Sequence, residues 1–287
     1  MPSFRFLSVH SFALLLASIA MLVGPAANAQ PAVLKVGVLP NLSARVILAS
    51  YQPFRTYLER ELGQPVEILT ATDFRDYHAR TMKLEYDIVV TAANLGRLAQ
   101  LDGGLVPLAI YEPPIPALAV TSKARPVRSA QELRGKTLGL ANPQSLVALR
   151  GFAWLRSEGL ARGEDYQTVQ VRNDDSLGQL LRSGDVPLAI MSAGEFRQIP
   201  EAVRAELEVF SEFARVPGFL VLASSSMSTL LAARVRQALL GFPETAEGKQ
   251  FAQLAGVRGI RAHTDAELES LNPYIDATRA GLTAPRP

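Results

Sequence analysis

The 287-residue chain has no cysteine, one tryptophan and three histidines, and its 29 basic and 27 acidic side chains nearly cancel. Each scarcity excludes a class of chemistry. Without cysteine there is no disulfide framework, thiolate nucleophile, thiolate metal site or lipidated cysteine anchor. The near balance of charge, with no run of five basic residues, argues against a nucleic-acid surface, which needs clustered Lys and Arg. His10 lies in the amino-terminal segment, so His78 and His263 remain, far apart and without metal-ligand spacing; surface or helix-face positions are expected for both. Gly-x-Ser-x-Gly, phosphate-loop and His-Glu-x-x-His patterns are absent, and no metal or cofactor is expected.

Only one run is long and apolar enough to matter to a membrane. Arg5 is the one charge before Lys35, and Phe6 to Val23 is mostly apolar. Gly24 and Pro25 then interrupt it, and Ala27, Asn28 and Ala29 give the small-x-small pattern of a signal-peptidase site. Residues 1–29 are therefore expected to be a signal peptide cleaved after Ala29, leaving a periplasmic, non-membrane-embedded product with 28 basic and 27 acidic groups.

What the rest contains is ample apolar material, 48% of residues against 20% charged, arranged as short apolar runs alternating with longer amphipathic stretches. That alternation is the pattern of strands feeding helices in an α/β protein. Strands are expected at 34–39, 66–70, 86–91 and 105–111. Helices are expected at 44–62, ending at Gly63, at 73–82 behind an Asp73 cap, and at 94–101. After a proline cluster at Pro113, Pro114 and Pro116 the pattern repeats: strands at 117–121, 137–141, 168–171 and 187–191, with helices at 145–159 and 174–183. A strand near 208–210 leads to Val216-Pro217-Gly218, a strand at 219–223, and helices at 229–240, 245–254 and 265–278. The expected fold is two-lobed α/β, each lobe a mixed sheet flanked by helices, with lobe 1 made of 30–116 plus 216–287 and lobe 2 of 117–215.

In open α/β sheets the turns at the carboxyl ends of strands expose helix amino-terminal amides and short polar side chains, and ligands bind there. The candidate turns are Asn41 to Ser43, Ala71 to Phe74, Thr91 to Asn94, Asn142 to Ser145, Arg172 to Asp175 and Ser192 to Glu195. Each can equally be a plain helix cap; their recurrence in two lobes is what suggests a shared cleft.

Several landmarks in order resemble one family. They are Val36-Gly37-Val38-Leu39-Pro40, Pro53-Phe54 with Tyr57-Leu58, Leu62-Gly63-Gln64-Pro65-Val66-Glu67, Asp73-Phe74, Tyr86-Asp87-Ile88-Val89, Leu133-Arg134-Gly135-Lys136-Thr137, Asn142-Pro143-Gln144-Ser145 and Val216-Pro217-Gly218. Together they resemble the PhnD-like periplasmic substrate-binding proteins for phosphate, phosphite and phosphonate, a branch of the type II periplasmic binding fold. The resemblance covers nearly all of the chain after residue 29. It implies two lobes, two hinge crossings, a ligand cleft between the lobes and delivery to an ABC permease.

It also implies pocket positions, where this chain departs from the family. The tyrosine after the Asp is Phe74, and a second pocket tyrosine falls near Thr91. Of a Ser-Thr-Ser-Gly anion cradle only Ser145 remains, followed by Leu146, Val147 and Ala148, and a family histidine aligns with Arg172 or Asn173. The ligand-binding set expected from turns and resemblance together is Ser43, Phe74, Thr91, Asn94, Ser145, Leu146, Arg172 and Asn173, with Arg172 the charge partner of an anion. Such a pocket is poor in donors, which points to a small weak or singly charged anion, or an organic acid with an apolar portion. The expected protein is a monomeric, non-enzymatic solute-binding protein; the alternative is a ligand-sensing partner of a membrane sensor kinase.

Overall fold

The computed structural model describes residues 32–171 and 174–283, with the side chains of 174 and 175 excepted. The expected signal peptide, Arg172 and Asn173 lie outside the described residues. Among the described residues eleven strands form two mixed sheets, and helices flank both.

The first sheet has the order β11-β4-β10-β3-β1-β2. Here β1 is Leu34–Val38, β2 Val66–Leu69, β3 Ile88–Thr91, β4 Val106–Glu112, β10 Leu220–Ala223 and β11 Gly259–Arg261. Strand β1 runs parallel to β2 and β3, while β10 is antiparallel to β3 and β4. Its central strands β3 and β10 are buried throughout, which is why they read as unbroken apolar runs. The second sheet has the order β7-β6-β8-β5-β9. These are β5 Ile115–Ser122, β6 Thr137–Leu140, β7 Gln167–Gln170, β8 Leu188–Ser192 and β9 Leu207–Val216. Strand β6 is parallel to β7 and β8, and β5 is antiparallel to β8 and β9.

The chain passes from the first sheet to the second between Glu112 and Ile115 and returns between Val216 and Leu220. The two passages are stitched together. Tyr111 N donates to Phe219 O at 2.9 Å, and Ile115 pairs with Val216. A Cβ on Gly218 would come within 2.0 Å of Tyr111 O, so only glycine lets the backbones approach this closely.

Local differences from the expected elements have physical causes. The helix expected over 44–62 is two, Ala44–Ser50 and Gln52–Leu62, meeting at Tyr51. Pro53, at the start of the second, has no N–H to continue the ladder. Gly63 ends it at φ +68°, a left-handed cap that glycine adopts without cost. The helix expected over 265–278 is likewise divided into Asp265–Glu269, a 3₁₀ turn at Asn272–Tyr274 containing Pro273, and Ile275–Thr283. The strand expected at 208–210 extends over all of β9. As an edge strand with one face solvated, it carries Glu208, Glu212 and Arg215, which mask it in a search for apolar runs. Two short helices, Ala193–Gln198 and Glu201–Arg204, occupy a stretch that reads only as turn.

Among the described residues three apolar clusters fill the interior. One packs the first sheet against helices Gln52–Leu62, Thr229–Gly241 and Ala246–Ala255, and is rich in rings: Tyr51, Phe54, Tyr57, Tyr111, Phe242 and Phe251. A second, under the second sheet, is built of Leu118, Val120, Leu177, Leu181, Val186, Met191 and similar aliphatics. The third joins residues of both sheets, including Leu39, Phe74 and Tyr77 with Leu138, Leu140 and Leu146, and is extended by Leu268 and Leu271 from the carboxyl-terminal helices. Among the described residues no helix is long and apolar enough to cross a membrane.

Candidate functional site

A cavity of about 420 Å³ lies at the carboxyl ends of the parallel strands and against both passages between the sheets. That is where an open α/β sheet presents helix amino termini to a ligand. The first sheet contributes Leu39, Asn41 and Leu42 after β1, Ala92 and Ala93 after β3, and Tyr111 and Glu112 from β4. The second contributes Ser145, Leu146 and Val147 after β6, and Ser192 to Glu195 after β8. Pro113 to Pro116 and Val216 to Phe219, the passages themselves, complete the wall with Tyr51, Phe74, Arg197 and the segment Gln253 to Val257.

Three of the expected residues are brought together on this wall. Phe74, the first residue of helix Phe74–Met82, presents a buried ring behind the Asp73 cap. Ser145 caps helix Leu146–Ser157, its Oγ accepting from Ala148 N at 3.1 Å, and Leu146 follows it onto the wall.

Three others are placed elsewhere. Ser43 is exposed and caps helix Ala44–Ser50, its Oγ accepting from Val46 N at 3.4 Å, while its neighbours Asn41 and Leu42 reach the cavity. Thr91 is buried at the end of β3 with no hydrogen-bond partner for its Oγ1; Ala92 and Ala93, one step further, form the wall. Asn94 is fully buried and joins three segments rather than facing the cavity. Its Nδ2 donates to Gln144 O at 3.1 Å and to Thr278 Oγ1 at 2.9 Å, tying helix Ala93–Gly103 to the loop before Ser145 and to helix Ile275–Thr283. For Ser43 and Asn94 the polar side chain makes a cap and a buried knot, which use the same residue types as ligand sites.

Sequence reasoning missed the aromatic wall. Tyr51 was hidden inside an apparently continuous helix, whereas Tyr111 carried a readable signal, the last ring of a strand just before a proline cluster. Both phenols are buried, and burial raises their pKa so that they stay protonated. The neighbouring Tyr51 hydroxyl adds to the rise at Tyr111 without meeting hydrogen-bond geometry, and Tyr111 Oη has no partner. Phe219 stacks on Tyr111 with centroids 6.4 Å apart and planes at 17°.

Charges on the wall are few. Glu195 is buried in a capping box, its Oε2 accepting from Ser192 N at 2.6 Å; burial raises its pKa despite that bond and one with the Asn142 side chain. Glu112 Oε1 accepts from Arg261 Nε at 2.6 Å. The same guanidinium holds Glu267, whose pKa falls to about 2, chiefly through that hydrogen-bonded pair. Among the described residues no group of three or more His, Asp or Glu side chains could hold a metal ion. His78 is partly buried, which lowers its pKa, and His263 Nε2 lies 3.2 Å from Pro107 O; neither is on the cavity wall. Among the described residues the wall is made of helix amides, hydroxyls and rings with few charges.

Solved structures share this architecture. A binding protein component of an ABC phosphonate transporter from Pseudomonas aeruginosa superposes with a TM-score of 0.74 at 15% identity, over 89% of this chain and 90% of its own. PhnD1 from Prochlorococcus marinus, solved with methylphosphonate, gives 0.74 at 14% identity over 85% of this chain and 98% of its own. A Xanthomonas citri protein solved with bound chloride gives 0.72 at 18% identity, over 86% and 98%. At these identities the likeness establishes the type II periplasmic binding fold. A family model for the periplasmic substrate-binding protein of the phosphonate ABC transporter matches residues 36–268, and the chain belongs to that family.

Proposed function

We propose that the protein is an extracytoplasmic solute receptor, which captures a small ligand in the cavity between the two sheets and delivers it to an ABC permease. The single observation that carries this reading is a 420 Å³ cavity built at the strand ends of both sheets and beneath the two passages joining them. Residues 30–116 with 216–287, and 117–215, act as two lobes that swing about those passages. Closure excludes water from the ligand and gives the permease a distinct bound form to recognise. The protein has no enzymatic role, works as a monomer, and reaches the periplasm by loss of residues 1–29. Phe74, Ser145 and Leu146 contact the ligand, joined by Tyr51 and Tyr111.

The test uses protein purified from the periplasm of an expressing bacterium. Its mass should correspond to a chain beginning at Gln30. Thermal unfolding is then followed with phosphonates, sulfonates, small carboxylates and inorganic oxyanions. A ligand at about one hundred times its Kd stabilises the folded state by about 2.7 kcal/mol, so a true solute raises the midpoint clearly. Small-angle scattering should show a smaller radius of gyration with that solute. Absence of any selective shift, with the protein folded, overturns the reading.

A further inference from the structure

The last two elements of the described chain lie on one proposed lobe and reach the other. The 3₁₀ turn Asn272–Tyr274 and helix Ile275–Thr283 ride as a strap on helix Ala93–Gly103 of the first lobe. Arg97 Nε donates to Asn272 Oδ1 at 3.0 Å, and Arg279 grips Asp102 through Nη2 at 3.0 Å and Nε at 3.2 Å. Leu271, just before the turn, is buried in the cluster that joins both sheets, and Tyr274 and Leu282 pack against it. The strap is thus fixed to the first lobe at several points along its length.

From that base three hydrogen bonds cross to the second lobe close together, none of them at the two passages. Asn94 Nδ2, which donates to Thr278 Oγ1 at 2.9 Å, also donates to Gln144 O at 3.1 Å. Gln144 Nε2 donates to Gly281 O at 3.4 Å. Arg150 Nη1 donates to Tyr274 Oη at 2.5 Å, and its guanidinium carbon lies 5.9 Å from the centroid of that ring. Thr278 Oγ1 in turn donates to Tyr274 O at 2.7 Å, so the Asn94 and Arg150 contacts meet in one turn of the strap. Asn94 and Thr278 are fully buried, and Gln144 nearly so.

Position gives these bonds their meaning. Ala93 precedes Asn94 and Ser145 follows Gln144, and both are cavity wall, while Arg150 stands on the helix that Leu146 begins. A solute touching the wall on both sides would draw together the same two helices that the strap joins, Ala93–Gly103 and Leu146–Ser157. The strap is also built to let go. Asn94 Oδ1 is buried without a partner, and Arg150 is exposed. An orphaned buried carbonyl disfavours the joined arrangement, and an exposed bond exchanges readily with water. Three bonds opposed by such a penalty suit a two-state element better than a permanent seam.

We propose that residues 272–283 are a clasp, which holds the lobes closed before any solute is bound and parts when they swing open. The proposal rests on the two-lobe receptor reading and adds the device that sets its resting state. By favouring the closed state in advance, the clasp reduces the shift that a solute must itself drive.

The chain has no cysteine, so Leu101→Cys on one helix and Arg156→Cys on the other, both exposed, carry a single pair of spin labels. Pulsed electron resonance on the dialysed protein, with no solute added, reads the distance between the two helices. One net hydrogen bond shifts an equilibrium by about two- to tenfold. Arg150→Ala and Tyr274→Phe, introduced at partly or fully exposed positions, should each raise the ratio of long to short distances by about threefold or more. The two together should do no more than Arg150→Ala alone, because they remove the same bond. Urea unfolding checks that each variant is folded. A ratio that neither change alters, or two effects that combine independently, overturns the clasp and leaves the hinged receptor intact. So does one distance, longer than in the structure, shared by wild type and variants. One distance equal to that in the structure for all of them means that the lobes form a single rigid body, and overturns the two-lobe reading together with the clasp.

Discussion

The two sheets share one grammar of strand, capped turn and helix and a common cluster between them, yet the other face of each packs on a different core. Under the first sheet the packing is aromatic. Phe251 meets Tyr51 edge-on at 5.0 Å and Tyr111 edge-on at 6.1 Å, Phe54 meets Phe242 at 5.2 Å, and Tyr57 Oη donates to Ala238 O at 2.8 Å. On one face of the second sheet the buried cluster is aliphatic, with Leu177, Leu181, Val186, Ile199 and Val203 around the strands, while Trp154 and Phe213 stack on the other. Ring pairs have preferred geometries and add about 0.5–1.5 kcal/mol beyond their buried area, whereas aliphatic contacts are non-directional. Tyr51 and Tyr111 also belong to the cavity wall, so on the first side the wall is the outer layer of a locked core. On the second side it is the amino end of helix Leu146–Ser157 and the Ser192 turn, which touch the ligand space through caps rather than through the deepest packing.

That difference is most open to challenge by truncating one deep residue from each core. Phe251→Ala should lower stability by about 3–5 kcal/mol, and Leu181→Ala by about 2–5 kcal/mol, through lost burial and residual cavities. Only the first removes the support behind Tyr51 and Tyr111. It should therefore weaken ligand binding under conditions where the variant remains folded, while Leu181→Ala leaves affinity near wild type. Urea unfolding gives the stabilities and calorimetry the affinities. Equal losses of affinity in the two variants would break the comparison.

A smaller effect separates a cap at the cavity from a cap elsewhere. Ser145 Oγ accepts from Ala148 N, and Ser228 Oγ accepts from Leu231 N at the head of helix Thr229–Gly241, away from the wall. Each Ser→Ala change should cost about 1 kcal/mol of stability, the ordinary worth of such a cap. Affinity should fall for Ser145→Ala alone. If both changes leave affinity untouched, Ser145 is a structural cap and the second sheet contributes only its backbone to the ligand.

Much of the fold was legible because strand and helix periods survive even where the ends shift. The β1 run, the Asp73 and Ser145 caps and the Gly63 terminus are all local signals, and local signals transmit well. The site was less legible. Ser43, Thr91 and Asn94 have the residue types of a ligand pocket but are spent on a cap, a buried strand end and a knot between helices, a distinction that depends on distant partners such as Thr278. Tyr51 failed as a signal because nothing short of the Pro53 break says that a helix divides there. The length of β9 was concealed by its charges, the price an exposed edge exacts for avoiding other chains.

The least of the expected effects concerns Glu195, a buried carboxyl of the second side; its counterpart on the first side, Glu112, is paired with Arg261. Burial raises its pKa above the ordinary 4.5, against the pull of Ser192 N and the Asn142 side chain, and the nearest charge on its own helix, Arg197, is turned out to the rim. A raised folded-state value means that folding favours the protonated form. Glu195 thus contributes stability that is fully present below the ordinary carboxyl value and is lost as pH rises through the raised one. Glu267 acts with the opposite sign in a different window. Its value is depressed to about 2 by Arg261, so its contribution is present above 4.5 and lost as pH falls towards 2. Urea unfolding of wild type and Glu195→Gln across acidic to neutral pH should show the decline above 4.5 flattened in the variant, with the decline below it unchanged. The glutamine carbonyl keeps the acceptor for Ser192 N, so the cap survives and the titration alone is removed. Parallel curves would mean that Glu195 ionises at no cost, and the second side of the cavity would then have to be read as more polar than its aliphatic core suggests.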